Sequence, residues 1–292
     1  MEKILYGLKS SEYEHPEDRE FLKELQSIPA FAPLTKTLLD WSYLKWATVA
    51  LKGSDFLVTK DSCPDLYKTV EDTARVLDLD NVPEVYTEWG YYVNAYTTGY
   101  DNSNLLVLYS GAVDLLSENE LKFVIGHEMG HIKGQHVLYH VMAENINEII
   151  SSNFLKIGVA LTLMRWYRMS EFTADRAGLL ACQDINVAID AIRKMAGVPR
   201  KYFDSYNRDA FLKQAKDFQE STKDSVKKLI KNISILGSSH PWTIMRAAEL
   251  LKWYESGEYD RILNSHQAKF CPIHKDFVPN DAQICPVCGY KF

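Results

Sequence analysis

The sequence predicts an α+β protein that is mostly helical, with a small antiparallel sheet and a separate cysteine-rich tail. Apolar residues recur at three- and four-residue spacing before residue 60 and again from about Gly111 to Tyr254. Between these helical regions lie three short segments rich in Val, Tyr and Thr, which is typical of strands. Three of the five cysteines follow residue 270 at metal-type spacing, which indicates a small separate unit.

The composition is that of a globular protein and excludes several functional classes. Of the 292 residues, 46% are hydrophobic and 25% are charged. Acidic residues outnumber basic ones 39 to 33, so we expect no nucleic-acid binding by broad electrostatic attraction. The apolar run Ile157–Met164 is far shorter than the roughly twenty residues of a membrane span. No signal peptide is recognisable at Met1, and we therefore predict a cytoplasmic protein.

Local patterns divide the chain into four parts. We predict a helical segment at 1–60 that packs on a main domain at 61–255, followed by a linker at 256–267 and a small tail at 268–292. The individual helices and strands predicted before residue 110 are helices at Glu17–Leu25, Leu38–Leu51 and Pro64–Leu77, and strands at Val82–Glu88, Tyr91–Thr98 and Asn104–Tyr109.

One helix carries the strongest chemical signal. Ser117 and Glu120 form a capping box that predicts its start. Ten residues after Ser117 the sequence reads His127-Glu-Met-Gly-His131. Residues four apart in a helix lie about 40° apart on one face and roughly 6 Å apart along the axis, so both imidazoles can reach one zinc ion. Glu128 projects to one side, where it can accept a proton from a water molecule without being a ligand.

Two glycines strengthen this interpretation. Gly126 and Gly130 lie four residues apart in the same helix, where each costs about 1 kcal/mol relative to alanine. Such a pair indicates that another element packs very closely there. If the helix continues, His136 and His140 fall on the face opposite His127, and we expect them to be solvent-facing or packing residues.

The third zinc ligand has to come from another element. Catalytic zinc is commonly held by two histidines and one glutamate, with the fourth position open to water. Glu171 is the best candidate, because it lies on a predicted helix with small residues that allow close approach. Asp175 is one turn further on and can fix the tautomer of a ligating histidine.

The tail has the spacing of a zinc ribbon. Cys271 and His274 form one pair, and Cys285 and Cys288 form a second pair ten residues later. Three thiolates and one imidazole fill a tetrahedron, so we expect a structural zinc ion with no open position.

These motifs resemble those of metallopeptidase family forty-eight, which includes the HtpX-like endopeptidases and the CAAX prenyl protease. The resemblance covers Pro64 to Leu250. It rests on the motifs Tyr91–Tyr96, which resembles the substrate-binding edge strand of the family, Leu121–Ile132, Glu171 with Asp175, and Ser239-His240-Pro241 followed by Arg246. It implies a zincin-like (gluzincin) fold and zinc-dependent proteolysis.

The resemblance also implies roles for four residues. Asn94 and Ala95 would bind an extended peptide as an added strand. His240 would stabilise the oxyanion of the reaction. Arg246 would steady Glu171 or the oxyanion.

The sequence departs from the family in one respect. Many members have transmembrane helices near the zinc helix, whereas residues 141–168 here are too polar to span a bilayer. For Phe154–Trp166 we expect packing in the core rather than the alternative, a peripheral contact with a membrane surface.

The function predicted from the sequence is a zinc-dependent endopeptidase. Its partners would be protein or peptide substrates, and it would bind one catalytic and one structural zinc ion. Two alternatives remain: an adaptor in which the ribbon binds a protein partner and the peptidase site is shielded or inactive, and an exopeptidase of the same fold.

Overall fold

A computed structural model of the chain describes most residues. The described residues are 2–29, 31, 35, 42–100, 103–145, 154–221, 242–266 and 268–292. Their helices are α1 (Ser10–Tyr13), α2 (Pro16–Ser27), α3 (Ser42–Ser54), α4 (Pro64–Val76), α5 (Ser110–Leu115), α6 (Glu118–Lys133), α7 (Val137–Glu144), α8 (Phe154–Cys182), α9 (Ile185–Met195), α10 (Arg208–Ser221), α11 (Thr243–Glu255) and α12 (Glu258–Ser265). Their strands are β1 (Phe56–Val58), β2 (Glu84–Glu88), β3 (Ala95–Tyr100), β4 (Ser103–Tyr109), β5 (Ala268–Cys271) and β6 (Asp276–Pro279).

The larger sheet is mixed, which corrects the predicted antiparallel arrangement. Its order is β1-β2-β4-β3, and β2 runs parallel to β4 while the outer pairs are antiparallel. The reason lies in the composition of β4, where Leu105 to Leu108 are all fully buried. A strand that is apolar on both faces takes a central position. It therefore inserts between β2 and the more polar β3, which is left at an edge.

The N-terminal residues join the main core. Leu5, Leu8 and Tyr13 belong to the same buried cluster as apolar residues of α6, α8, α9 and α11. The sequence analysis predicted only helices before residue 60, but Phe56–Val58 forms the edge strand β1.

A helix occupies most of the predicted linker at 256–267. Gly257 has a φ of 81° and starts α12, whose Tyr259 and Ile262 are buried in the main core. The two apolar side chains lie three residues apart, so one face of this otherwise polar helix packs inward. The sequence analysis did not identify this helix because residues 256–267 are mostly polar.

Close packing of α6 on α8 dominates the interior. A methyl group built on Gly126 would lie 2.3 Å from the Cβ of Ala181, and one built on Gly130 would lie 2.6 Å from the Cβ of Ala177. Both separations are far below van der Waals contact. The predicted close approach at the two glycines is therefore present, and its partner is α8.

The N-terminal half of α8 packs in a second core cluster. Val159, Leu163 and Trp166 are fully buried beside Leu25 of α2 and Val141 of α7. This burial agrees with the expected core packing of Phe154–Trp166. Across the described ranges, no helix combines the length and the apolar character that crossing a bilayer requires.

The variant Gly126→Ala tests the close packing. We expect its free energy of unfolding to fall by about 1–3 kcal/mol, because the added methyl group overpacks the contact with Ala181. Chemical denaturation measures the change. Adding Ala181→Gly to the same chain should recover part of the loss. Gly53→Ala is the matched control, because a methyl group there meets nothing within 4 Å, and it should leave stability unchanged or raise it. Equal losses of stability in Gly126→Ala and Gly53→Ala would contradict the close packing at Gly126.

Candidate metal centre

Helix α6 brings two histidines together. Its capping box is present, since the Ser117 backbone N–H donates to the Glu120 carboxylate at 2.7 Å. Two turns later His127 and His131 project from one face, and their Nε2 atoms are 3.2 Å apart. Both side chains are buried.

Helix α8 supplies the third donor. Glu171 Oε1 lies 3.4 Å from His131 Nε2, and Glu171 Oε2 lies 3.6 Å from His127 Nε2. One donor atom from each of the three residues can be chosen so that all lie within 4.8 Å of one another. Glu171 lies forty positions after His131 in the sequence, and the packing of α6 on α8 brings the two together.

The donor set fits zinc. Two imidazoles and one carboxylate leave one position open on a tetrahedral ion. Zinc–nitrogen bonds near 2.0 Å place two ligand nitrogens about 3.3 Å apart, which matches the 3.2 Å between the two Nε2 atoms. Three buried carboxylates, those of Glu128, Glu171 and Asp175, lie at this centre, and the guanidinium of Arg246 is 3.8 Å from Glu171 and 2.6 Å from Asp175. This concentration of negative charge favours a divalent cation.

Asp175 and Arg246 lie behind His127. Asp175 Oδ1 is 3.0 Å from His127 Nδ1, and Arg246 donates two hydrogen bonds to the Asp175 carboxylate, at 2.9 Å and 2.6 Å. Burial raises the pKa of Asp175, but Arg246 lowers it below its usual value. Burial and Arg246 lower the pKa of His127, whereas Asp175 and Glu171 raise it to about 9. An ionised Asp175 accepts the Nδ1–H of His127 and leaves Nε2 for a metal.

Glu128 faces the same space from α6. The hydroxyl of Thr97 on β3 donates a short hydrogen bond to the Glu128 carboxylate. The same hydroxyl lies 3.4 Å from the Glu128 backbone oxygen. Thr97 therefore links the edge strand β3 to the side chain of Glu128.

The edge strand presents Ala95 rather than Asn94 for backbone pairing. The Asn94 carbonyl accepts from the Tyr109 N–H at 3.1 Å, and the Asn94 N–H donates to the Tyr92 carbonyl at 3.1 Å. Residues of an antiparallel strand alternate between bonding to the partner strand and facing away from it. The N–H and C=O of Ala95 therefore point to the outer edge, which no strand in the described part of the chain covers.

A cavity of 310 Å³ joins these groups. One side is lined by Ala95 and Thr97 of the edge strand β3 and by Asn94, which directly precedes it. The other lining side chains include His127, Glu128, His131, Glu144, Tyr167, Glu171 and Arg246. A second cavity of 470 Å³ shares Asn94, Met195 and Arg246 with the first, so the depression continues along the surface.

His136 and His140 are buried packing residues, which is one of the two expected outcomes, but the expected position on the face opposite His127 is wrong. That position assumed a continuous helix, but α6 ends at Lys133, and Gln135 adopts a φ of 59°. The chain reverses there, and both histidines become buried against His131, with ring centroids 5.3 Å and 4.3 Å away. Gly134 is a helix-stop signal that the sequence analysis passed over.

His240 lies outside the described residues, as do its neighbours Ser239 and Pro241. The cavity-lining residues that sequence reasoning missed include Thr97, Glu144 and Tyr167. The strand period offered a signal only for Thr97, since it shares a face with Ala95.

The tail brings its four predicted ligands together. Cys285 Sγ is 3.2 Å from His274 Nδ1, and Cys271 Sγ is 3.6 Å from Cys288 Sγ. The four donor atoms lie within 4.8 Å of one another, so the cluster can hold a metal ion. Burial raises the pKa of Cys271, but hydrogen bonds from the His274 and Ile273 backbones lower it to about 6, which favours the thiolate that metals bind.

Comparisons with known proteins found similar sequences and solved structures. The chloroplastic plastoglobule-localized metallopeptidase 48 of Arabidopsis thaliana is 30% identical over 91% of this chain and 79% of its own length. A protease HtpX homolog of Ralstonia pickettii is 24% identical over 69% of this chain and 78% of its own. The crystal structure of S. mikatae Ste24p is 17% identical with a TM-score of 0.38, covering 62% of this chain and 49% of that one. The model of peptidase family M48 matches residues 62–254. The chain therefore belongs to peptidase family M48, a family of metal-dependent proteases.

Proposed function

We propose that this protein is a zinc-dependent endopeptidase. The observation that carries the proposal is the convergence of His127, His131 and Glu171 beside Glu128 in one cavity. Two imidazoles and a carboxylate hold zinc with one position left open, and an acidic side chain lies within the same space.

Each side chain in the cavity has a distinct task. Zinc, when bound, lowers the pKa of water toward about 7 and polarises the scissile carbonyl. Glu128 accepts a proton from the attacking water and passes it to the leaving amine. Thr97 holds the Glu128 carboxylate in place through its hydroxyl. Asp175 and Arg246 fix the orientation of His127.

The substrate is an extended segment of protein or peptide. Its backbone pairs with the outward-facing N–H and C=O of Ala95, so that it adds a strand to β3. The side-chain amide of Asn94 provides a further polar contact at the same edge. Because the second cavity continues past Asn94, Met195 and Arg246, the bound chain extends beyond the cleavage point, which favours internal cleavage over release of terminal residues.

The tail binds the second zinc ion through Cys271, His274, Cys285 and Cys288. This site is closed, so the ion stabilises the fold of the tail rather than taking part in the reaction. Exposed apolar side chains beside the two metal-binding pairs, Ile273 and Val287, offer a surface for a protein partner.

Cytoplasm is the proposed compartment. The Arabidopsis relative is named for a different location, the plastoglobule. Fractionation or imaging of the tagged chain would determine the compartment of this protein. A peripheral contact with a membrane surface remains the weaker alternative, because the middle of Phe154–Trp166 is packed in the protein interior.

Replacing Glu128 with glutamine tests the general base. We expect Glu128→Gln to retain two zinc ions and to lose about 10²–10⁴-fold in cleavage rate, because an amide cannot take the proton. Mass spectrometry of a digested peptide pool gives both the rate and the cleavage positions, and internal fragments are expected. Glu118→Gln, an exposed change in the same helix, is the control and should cleave normally. Cleavage by Glu128→Gln at the native rate would rule out this role, and release of single residues only would point to an exopeptidase.

Metal content separates the two proposed zinc sites. We expect two zinc ions per chain, falling to one in Glu171→Ala and to one in Cys288→Ser, because each change removes a ligand from a different cluster. Elemental analysis after removal of loosely bound metal measures both. A chelator that strips the zinc should abolish cleavage. Undiminished cleavage by metal-stripped protein would contradict the proposed function, and zinc binding without any cleavage would favour the adaptor alternative.

Thr97→Val tests the support of Glu128. A hydrogen bond to a charged group contributes about 1.5–3 kcal/mol, so we expect kcat to fall at least about tenfold while KM changes little. Steady-state kinetics on one identified peptide provide both constants. Thr98→Val is the matched control, since Thr98 points to the other face of β3. A similar loss in both variants would mean that strand stability, not the hydroxyl, is responsible.

A further inference from the structure

Nε2 of His131 faces Glu171, while the other ring nitrogen, Nδ1, lies beside the imidazole of His136. We propose that His136 accepts a hydrogen bond from His131 and so positions it for the metal, with the carboxylate of Asp18 on helix α2 lying behind His136. The proposal rests on the zinc binding proposed above for His127, His131 and Glu171, but not on peptide cleavage.

Three buried side chains lie in a row behind the metal site. His131 Nδ1 lies 3.1 Å from His136 Nδ1, and His136 Nε2 lies 3.5 Å from Asp18 Oδ2. The exposed fractions of His131, His136 and Asp18 are 3%, 3% and 0%. Since water has almost no access to them, their polar atoms need partners within the protein. His131 and His136 lie within hydrogen-bond distance of each other, and Asp18 is the nearest carboxylate recorded beside His136.

The turn after α6 is shaped to bring His136 back. Gln135 takes a left-handed φ of 59°, and the His136 backbone N–H donates to the His131 carbonyl at 2.9 Å. A methyl group on Gly134 would lie 2.5 Å from His136 Nε2, so the imidazole occupies the space that a side chain would need. The reversal therefore places this ring directly behind the second histidine of the metal centre.

Metal binding determines where each proton lies. If His131 binds zinc through Nε2, its Nδ1 carries a proton and must donate. His136 Nδ1 is the atom at hydrogen-bond distance, so it accepts and carries no proton. The proton of a neutral His136 then lies on Nε2, which faces Asp18. His131 thus reaches a carboxylate through an intervening imidazole, whereas His127 reaches Asp175 directly.

Asp18 is itself held from α8. The hydroxyl of Thr173 donates to Asp18 Oδ2 at 2.5 Å, and the His15 backbone N–H donates to the same hydroxyl at 2.9 Å. Thr173 lies midway between Glu171 and Asp175 on α8. One short segment of α8 therefore carries a zinc ligand, the partner of His127 and the anchor of Asp18.

A second metal ion is the competing explanation. Donor atoms of His131, His136 and His140 also lie within 4.8 Å of one another. Such an ion would require His131 to bind metal through both nitrogens and so to lose both ring protons. Moreover, His136 Nε2 faces Asp18, and His140 Nε2 is 2.7 Å from the Ser170 hydroxyl. These contacts favour the hydrogen bond between His131 and His136 over a second metal ion.

Nuclear magnetic resonance of the zinc-loaded full chain tests the proton positions. Long-range ¹H–¹⁵N correlations distinguish the tautomers of histidine rings. We expect His131 to be protonated at Nδ1 and His136 to be neutral and protonated at Nε2. A proton on His136 Nδ1 would overturn the proposal, as would a third zinc ion that is lost in His136→Phe.

Zinc affinity of two His136 variants tests the positioning role. In zinc-buffered solution, the His127 ring signals report occupancy of this centre separately from the tail. We expect His136→Phe, which keeps the ring volume but has no acceptor, to weaken binding about 10–100-fold. His136→Asn places an amide oxygen near the Nδ1 position and should retain affinity within about threefold, as a rescue by a conserved acceptor.

Val70→Ala is the control for a general loss of stability. Val70 is fully buried in the main core and does not line the cavity, so this variant should lower the melting temperature without changing zinc affinity. Unchanged affinity in His136→Phe, or an equal loss in His136→Asn, would overturn the proposal. Neither result depends on cleavage, so an inactive protein with the expected affinities would contradict only the proposed function.

Discussion

The contact between α6 and α8 is the constraint on which the rest of the structure depends. Gly126 and Gly130 let the two helices approach so closely that Ala177 and Ala181 touch the α6 backbone. Metal ligands have to be placed to within about 0.2 Å of their ideal distances. A single added methyl group would separate the helices by more than that and would move Glu171 away from both histidines. Packing and coordination are therefore one requirement rather than two.

Much of the fold could be predicted where the deciding interactions are local. The capping box at Ser117 is formed by residues three apart, and Pro64 begins a helix for which its ring is suited. The strand order could not be derived in the same way, because β4 lies between β2 and β3 only through long-range pairing. The reversal at Gly134 had a local signal, but the left-handed residue is Gln135, not the glycine.

The residues of the candidate metal centre also divide into those with a local sequence signal and those placed by long-range contacts. The helical period places His127, Glu128 and His131, and a second helical period relates Glu171 to Asp175. Thr97 and Asp18 could not be assigned from the sequence, because their partners, Glu128 and His136, lie on distant parts of the chain. The strand period places Thr97 on the same face as Ala95, and no period marks Asp18, so only the tertiary structure identifies the partner of either residue.

The link between Arg246 and Asp175 has a consequence for biosynthesis. During translation His127 emerges 119 residues before the guanidinium that lies behind it. Until that residue has left the ribosome and α11 has docked, the carboxylate behind His127 lacks its counter-charge. The buried pair behind His127 is therefore completed only after α11 has been synthesised and has packed on α8.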